Sequence, residues 1–169
     1  MPTLVCLPPI IDSNSRVLIL GTMPGAMSLQ KQQYYANPGN RFWNIIYGLF
    51  DLPLEKYYEA RVNFVKTKGI GLWDVLAQCS RAGSSDSSIR DIVVNDFGGL
   101  LKNYPNVRCL AFSSRKAFQL FDKHVKLHSK EIEKRLIKLI VLPSPSGQFA
   151  RMSYTEKLNA WRIIREYLR

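Results

Sequence analysis

The run Val17-Leu18-Ile19-Leu20 passes without a polar residue into Gly21-Thr22-Met23-Pro24-Gly25. So short an apolar run, bounded by Gly and Pro, has no face to spare for solvent. It reads as a strand covered on both sides, the environment of a parallel sheet with helices above and below. The Gly/Pro loop then lies at the carboxyl end of the strand, where open α/β sheets place their ligands. A second block follows closely: Tyr34-Tyr35-Ala36-Asn37-Pro38-Gly39-Asn40-Arg41-Phe42-Trp43. Its aromatic faces and amides suit a flat polar ring such as a nucleobase.

The rest of the chain alternates between strand and helix signals. After an irregular lead-in over 1–15, residues 16–20 form the first strand. Residues 40–50 carry apolar side chains at 42, 43, 45, 46, 49 and 50, the stripe of an amphipathic helix, with Asn40 placed to cap it. Phe42 and Trp43 lie on that stripe and read as core. Further helices are expected over 53–65, 95–102, 114–122 and 153–168. The last opens on the capping-box pattern Ser153-Tyr154-Thr155-Glu156. Residues 69–76 read as an extended piece turning into a helix, 83–88 as a polar loop and 88–91 as a short helix start. Strands are expected over 107–112 and 136–142. Alternation of this kind predicts an α/β fold, a three-layer α/β/α sandwich around a central, mainly parallel four-stranded sheet. The loops after residues 20, 112 and 142 then share one edge and converge on one cleft.

The chain of 169 residues reads as a single domain over 1–169. No apolar run approaches the roughly 18 residues of a membrane span. Met1-Pro2-Thr3-Leu4 shows no basic-then-apolar leader, so a cytoplasmic protein is expected. Cys6, Cys79 and Cys109 are odd in number, widely separated and outside any CxxC spacing; they read as structural thiols in a reducing compartment. His124 and His128 are four apart, too little to argue for a metal without further ligands, and no metal is expected. The net charge of +11 is lopsided. Residues 1–101 carry nine basic and eight acidic side chains, whereas 102–169 carry fifteen and five. That asymmetry favours a polyanionic partner or, more blandly, a solvated basic surface.

The Gly21–Gly25 and Tyr34–Trp43 blocks together resemble motif 1 of the uracil-DNA glycosylase superfamily, and within it the hypoxanthine-DNA glycosylase branch. Gly71-Leu72-Trp73-Asp74-Val75-Leu76, Cys79-x-Arg81-x-Gly83-Ser84-x-Asp86 and Glu156-Lys157-Leu158-x-x-Trp161 look like the same branch, so the resemblance covers most of the chain. It implies an extruded base held by Gly21, Thr22, Met23, Pro24, Tyr35 and Ser113. Tyr35 stands where relatives stack an aromatic on that base, although Tyr34 beside it offers the same ring. Met23 occupies the position at which some branches carry Asp, Glu or Asn, and it can neither orient water nor bind a base edge. The resemblance then assigns catalysis to Asn40, as an amide that positions water or holds the departing base, alongside its capping role. Relatives usually carry Asn-Gly where this chain has Ser113-Ser114, and a hydroxyl both donates and accepts. Leu142-Pro143-Ser144-Pro145-Ser146-Gly147 resembles motif 2, which presses on the DNA backbone. Leu142 replaces the His that some branches use to stabilise the leaving base. Ser144, Pro145, Ser146 and Gly147 are expected at phosphates, with Phe149 or Arg151 filling the gap left by the flipped nucleotide.

The expected function is a monofunctional DNA glycosylase of base excision repair, hydrolysing the N-glycosidic bond of deaminated bases in DNA, with hypoxanthine foremost and uracil or xanthine beside it. It would act as a monomer, without a cofactor. No lysine is placed by any motif as a Schiff-base nucleophile, so no lyase step is expected. The alternative is a non-catalytic module on the same fold that binds damaged DNA or a nucleobase. A weaker one is hydrolysis of free nucleosides or nucleotides.

Overall fold

The computed structural model describes residues 2–126 and 129–169; His128 lies outside the described residues. The apolar run from Val17 becomes β2 (Val17–Gly21), which lies inside a four-stranded sheet with β3 (Ile70–Asp74), β6 (Cys109–Phe112) and β7 (Lys138–Val141). The order is β3-β2-β6-β7 and every pair is parallel. Side chains on a strand alternate between faces. Val17 and Ile19 therefore enter one core with Cys109 and Ala111, while Leu18 and Leu20 enter the other with Leu110 and Phe112.

Helices cover both faces. On the first lie α2 (Phe42–Gly48), α3 (Tyr58–Thr67) and α7 (Tyr154–Trp161), contributing Phe42, Trp43, Ile45, Ile46, Val65 and Trp161. Phe42 and Trp43 are indeed core, at 0% and 3% exposure. On the second lie α4 (Phe97–Asn103), α5 (Arg115–His124) and α6 (Lys130–Lys134), contributing Phe97, Leu101, Ala117, Phe121 and Ile132. The caps follow the sequence. Ser114 Oγ accepts the Ala117 N–H at α5, and Ser153 with Glu156 forms the expected capping box at α7. Beyond Trp161 the last helix tightens to a 3₁₀ form over Arg162–Tyr167.

Five local expectations are corrected. Helix α1 (Ala26–Lys31) follows the Gly/Pro loop, where no helix was expected. Residues 53–57 stay outside α3: they are exposed, so no apolar face holds them helical. Leu76–Ser80 is a strand, β4, rather than a helix start, and residues 88–91 run from a 3₁₀ turn (Asp86–Ser88) into β5 (Arg90–Val94). The lead-in is not wholly irregular either, since Thr3–Val5 forms β1 and Ile10 bridges Leu72. β1, β4 and β5 make a second, antiparallel sheet in the order β1-β4-β5. β1 meets β4 across about 75 residues, for example Leu4 opposite Cys79, and local periodicity carries no trace of such pairing; β5 pairs with the nearby β4 in an irregular register.

Candidate nucleobase cleft

The parallel register fixes the site. Gly21 pairs with Asp74, Leu20 with Phe112, and Phe112 with Val141, so the chain leaves β2, β3, β6 and β7 along one edge. A cleft of about 660 Å³ opens there. Gly21, Thr22, Met23, Pro24, Tyr35, Asn40, Ser113, Ser144, Pro145, Ser146, Gly147 and Phe149 all line it. Arg151 is exposed and is not part of the lining.

The two tyrosines separate. Tyr34 is 5% exposed and turns its hydroxyl away to donate to Pro8 O at 2.8 Å, while its own carbonyl accepts the Trp43 indole N–H at 3.0 Å. Tyr35 has φ +53°, a left-handed conformation that costs a non-glycine residue about 1–3 kcal/mol. That twist lays its ring against Phe42, with centroids 3.7 Å apart and 14° between planes. Its hydroxyl donates to Ser113 Oγ at 3.4 Å, and Ser113 in turn donates to Leu20 O at 3.2 Å. Burial raises the Tyr35 phenol well above its ordinary range, so it remains a neutral donor.

Asn40 stands one residue before Arg41, the N-cap of α2, and still meets the first N–H of the helix. Its Oδ1 accepts the Phe42 N–H at 2.9 Å. A backbone N–H can only donate, so this bond assigns the oxygen and leaves the NH₂ group, a donor, uncommitted among the described residues. The Asn40 loop is tied to the loop after β7. Arg41 N donates to Pro145 O at 2.8 Å, and Gly147 packs so closely that a Cβ there would stand 2.7 Å from Gly39 O. From beneath, Trp161 Nε1 donates to Pro143 O at 2.9 Å and Lys157 Nζ to Ser146 O at 3.0 Å. Lys157 is only 4% exposed and also sits 5.4 Å from the Phe149 ring centroid. Burial, then the nearby Arg41, lowers its pKa.

Three charged residues in or behind the cleft were assigned no role from sequence. Arg81, 4% exposed, donates to Pro24 O at 2.6 Å, Met23 O at 3.5 Å and Gly83 O at 3.1 Å. It fastens the Gly21–Gly25 loop by its carbonyls, and it lies 3.8 Å from Asp86. Burial raises the Asp86 carboxyl, with Arg81 opposing. Asp74, at the carboxyl end of β3, is 5% exposed, and its Oδ2 is buried without a partner among the described residues. Burial pushes its carboxyl up to about 7, the Asp86 charge adds to the shift, and Arg81 works against it. The only sequence signal for these residues was their membership of the two middle motifs. Among the described residues no group of three or more His, Cys, Asp or Glu could hold a metal ion, and no helix is long and apolar enough to cross a membrane.

A three-layer α/β/α fold whose strand ends converge on one aromatic and amide cleft defines the class: an α/β protein with its ligand cleft at the carboxyl ends of a parallel sheet. Residues 8–166 match the family model for the uracil DNA glycosylase superfamily, and the chain belongs to that superfamily. It is 40% identical over 158 residues to a protein of Methanosarcina acetivorans named hypoxanthine DNA glycosylase, covering 93% of this chain and 94% of the relative. A Methanosarcina barkeri protein of the same name is 39% identical over 111 residues, 65% of this chain and 70% of that one. Among solved structures, the solution NMR structure of a Methanosarcina acetivorans protein described as a candidate uracil DNA glycosylase superposes with a TM-score of 0.82 at 34% identity, covering 99% of both chains.

Proposed function

We propose that this chain is a monofunctional DNA glycosylase that removes deaminated bases, hypoxanthine foremost, from DNA as the first step of base excision repair. The observation that carries the reading is the meeting of the Gly21–Pro24 loop, Tyr35, Asn40 and the Ser144–Phe149 loop in one cleft of about 660 Å³, roomy enough for an extruded nucleotide. The names of the 40% and 39% identical relatives support the same chemistry.

The reacting bond is out of reach inside a duplex, so the nucleotide must be turned out into the cleft. One face of the Tyr35 ring is taken by Phe42, which leaves the other for the base; such stacking contributes about 1–3 kcal/mol. The rigid Tyr35–Phe42 pair makes a flat wall that does not reorganise on binding. Backbone groups of Thr22 and Met23 meet the base edge, and Ser113 takes the role of a short hydroxyl reader. Asn40 offers its free NH₂ to an oxygen, either the base carbonyl or the attacking water. The Ser144–Gly147 loop meets phosphates and Phe149 enters the gap in the stack, with Arg151 outside the cleft touching the DNA backbone. The chain acts as one domain and as a monomer in the cytoplasm, without metal or cofactor.

Labelled oligonucleotides carrying one hypoxanthine, uracil or xanthine test this, with alkali used to cut at abasic sites. The expected result is cleavage at hypoxanthine, abolished by Asn40→Ala with binding to the same DNA retained. Binding to deoxyinosine DNA without release of base would overturn the enzymatic reading in favour of a binding module. Preference for free inosine over the oligonucleotide would overturn the DNA reading.

A further inference from the structure

The cleft contains a deeply buried carboxyl to which the proposed chemistry gives no part. Asp74 lines the floor beside Gly21, Tyr35 and Ser113. Its backbone cannot drift: β3 pairs it with Gly21, and its carbonyl accepts Asn95 Nδ2 at 2.8 Å. Its Oδ1 lies 2.6 Å from where a Cβ on residue 21 would be, and the Tyr35 hydroxyl lies 3.7 Å from the same point. The carboxyl therefore reaches into the space that the missing Gly21 side chain leaves open, on the side where the Tyr35 hydroxyl also points. Its other oxygen, Oδ2, is buried and has no hydrogen-bond partner among the described residues. A buried carboxyl oxygen without a partner costs free energy, so its retention at a ligand site asks for a ligand-side explanation.

Among the described residues the cleft is lined by two carboxyls, Asp74 and Asp86, and Asp74 is the more deeply buried. Met23 and Leu142 carry no titratable group. Asn40 is an amide, Tyr35 is held neutral by burial, and the Asp86 side chain is 38% exposed with Arg81 beside it. The groups whose charges bear on Asp74 are Asp86, which favours the protonated form, and Arg81, which opposes it; the Tyr34, Tyr35 and Cys6 side chains nearby are neutral, since burial raises all three. Desolvation prevails and brings the carboxyl to about 7, where it holds and releases a proton readily.

We propose that Asp74 is the general acid of this glycosylase, donating its proton to a ring nitrogen of the departing purine. The inference rests on the glycosylase reading of the cleft. The C1′–N9 bond breaks with its electron pair left on the base, and the Asp74 proton moves to the base as that charge develops. Water adds to C1′, and the proton it sheds returns to the Asp74 carboxylate through solvent. Such a donor makes purines the favoured substrates, because a purine leaves far more readily once a ring nitrogen is protonated.

Asp74→Asn preserves shape and removes the proton. Single-turnover excision of hypoxanthine at pH 7 should fall by about a hundredfold, the lower end of what general acid catalysis supplies. The wild-type rate should decline as pH rises through about 7, and the variant's should not. Substrates containing 7-deaza- or 3-deaza-hypoxanthine complete the cycle. On the analogue lacking the nitrogen that receives the proton, the wild type should be as slow as Asp74→Asn, which loses nothing further. If the variant is equally impaired on both analogues and on the natural base, or if the wild-type rate is flat from pH 6 to 8, the assignment fails while glycosylase function stands. A wild-type protein that releases no base from any substrate would instead overturn the functional reading beneath it.

Discussion

At the scale of single residues, the cleft depends on a glycine that makes room for an acid. Gly21 ends β2 opposite Asp74, and any side chain there would collide with the Asp74 carboxyl at 2.6 Å. Gly21→Ala must therefore push that carboxyl away or spread the two strands. Overpacking of this kind costs about 1–3 kcal/mol. The expected outcome is a lower melting temperature and a loss of hypoxanthine excision larger than the stability loss explains, measured by thermal unfolding and by single-turnover kinetics below the transition. Tyr35, Asn40 and the Gly21–Gly25 loop were legible because aromatic, amide and Gly/Pro residues declare themselves by type. Asp74 and Arg81 were not. An isolated Asp or Arg reads as surface, and its meaning here comes from burial at strand ends that only the assembled sheet brings together.

At the scale of elements, α7 is a platform for the loop expected to meet DNA. Trp161 and Lys157 rise from it to hold the Pro143 and Ser146 carbonyls. Lys157→Met keeps the apolar stem and removes the ammonium, leaving Ser146 O without its donor. A bond to a charged group contributes about 1.5–3 kcal/mol, so the loop should loosen and affinity for DNA with an abasic analogue should fall roughly tenfold. Lys157 is buried beneath the loop and does not face solvent, so the slope of log K against log salt should stay unchanged. Arg151→Ala is the contrast. It removes an exposed cation expected at a phosphate, so binding should weaken and that slope should fall by about one. Equal slopes for the two variants and the wild type would remove Arg151 from the DNA-binding surface. The same scale shows where periodicity succeeds. β2 and β6 are apolar throughout because both faces are covered, and α5 and α7 carry capping signals within four residues. β4 and β5 read poorly because their mutual pairing is irregular in register, the other neighbour of β4 is the distant β1, and β5 is largely exposed.

At the scale of the whole molecule, a buried acid kept for chemistry should leave a mark on stability. Asp74 titrates near 7 in the folded chain and near the ordinary carboxylate value of 3.8 once burial is lost. Below pH 4 both states hold the proton, and the protonated side chain is compatible with its desolvated place. Between about 4 and 7 the unfolded chain has released the proton while the folded chain still binds it. Stability therefore falls as pH rises through this window, because the folded state binds more protons than the unfolded one. Other carboxylates act in the same range, so the informative quantity is the difference between the wild type and Asp74→Asn, which cannot titrate. Relative to the variant, the wild type should lose on the order of a few kcal/mol between pH 4 and pH 7, followed by urea unfolding at several pH values. Above pH 7 the difference should level off as both states become ionised. A wild-type-minus-variant difference that stays flat across the window would mean that the Asp74 carboxyl is as well solvated folded as unfolded. The same sequence position would then have to be explained without the empty space above Gly21. A difference of the expected sign, measured without any DNA present, would show that the cleft holds its acid ready before a substrate arrives.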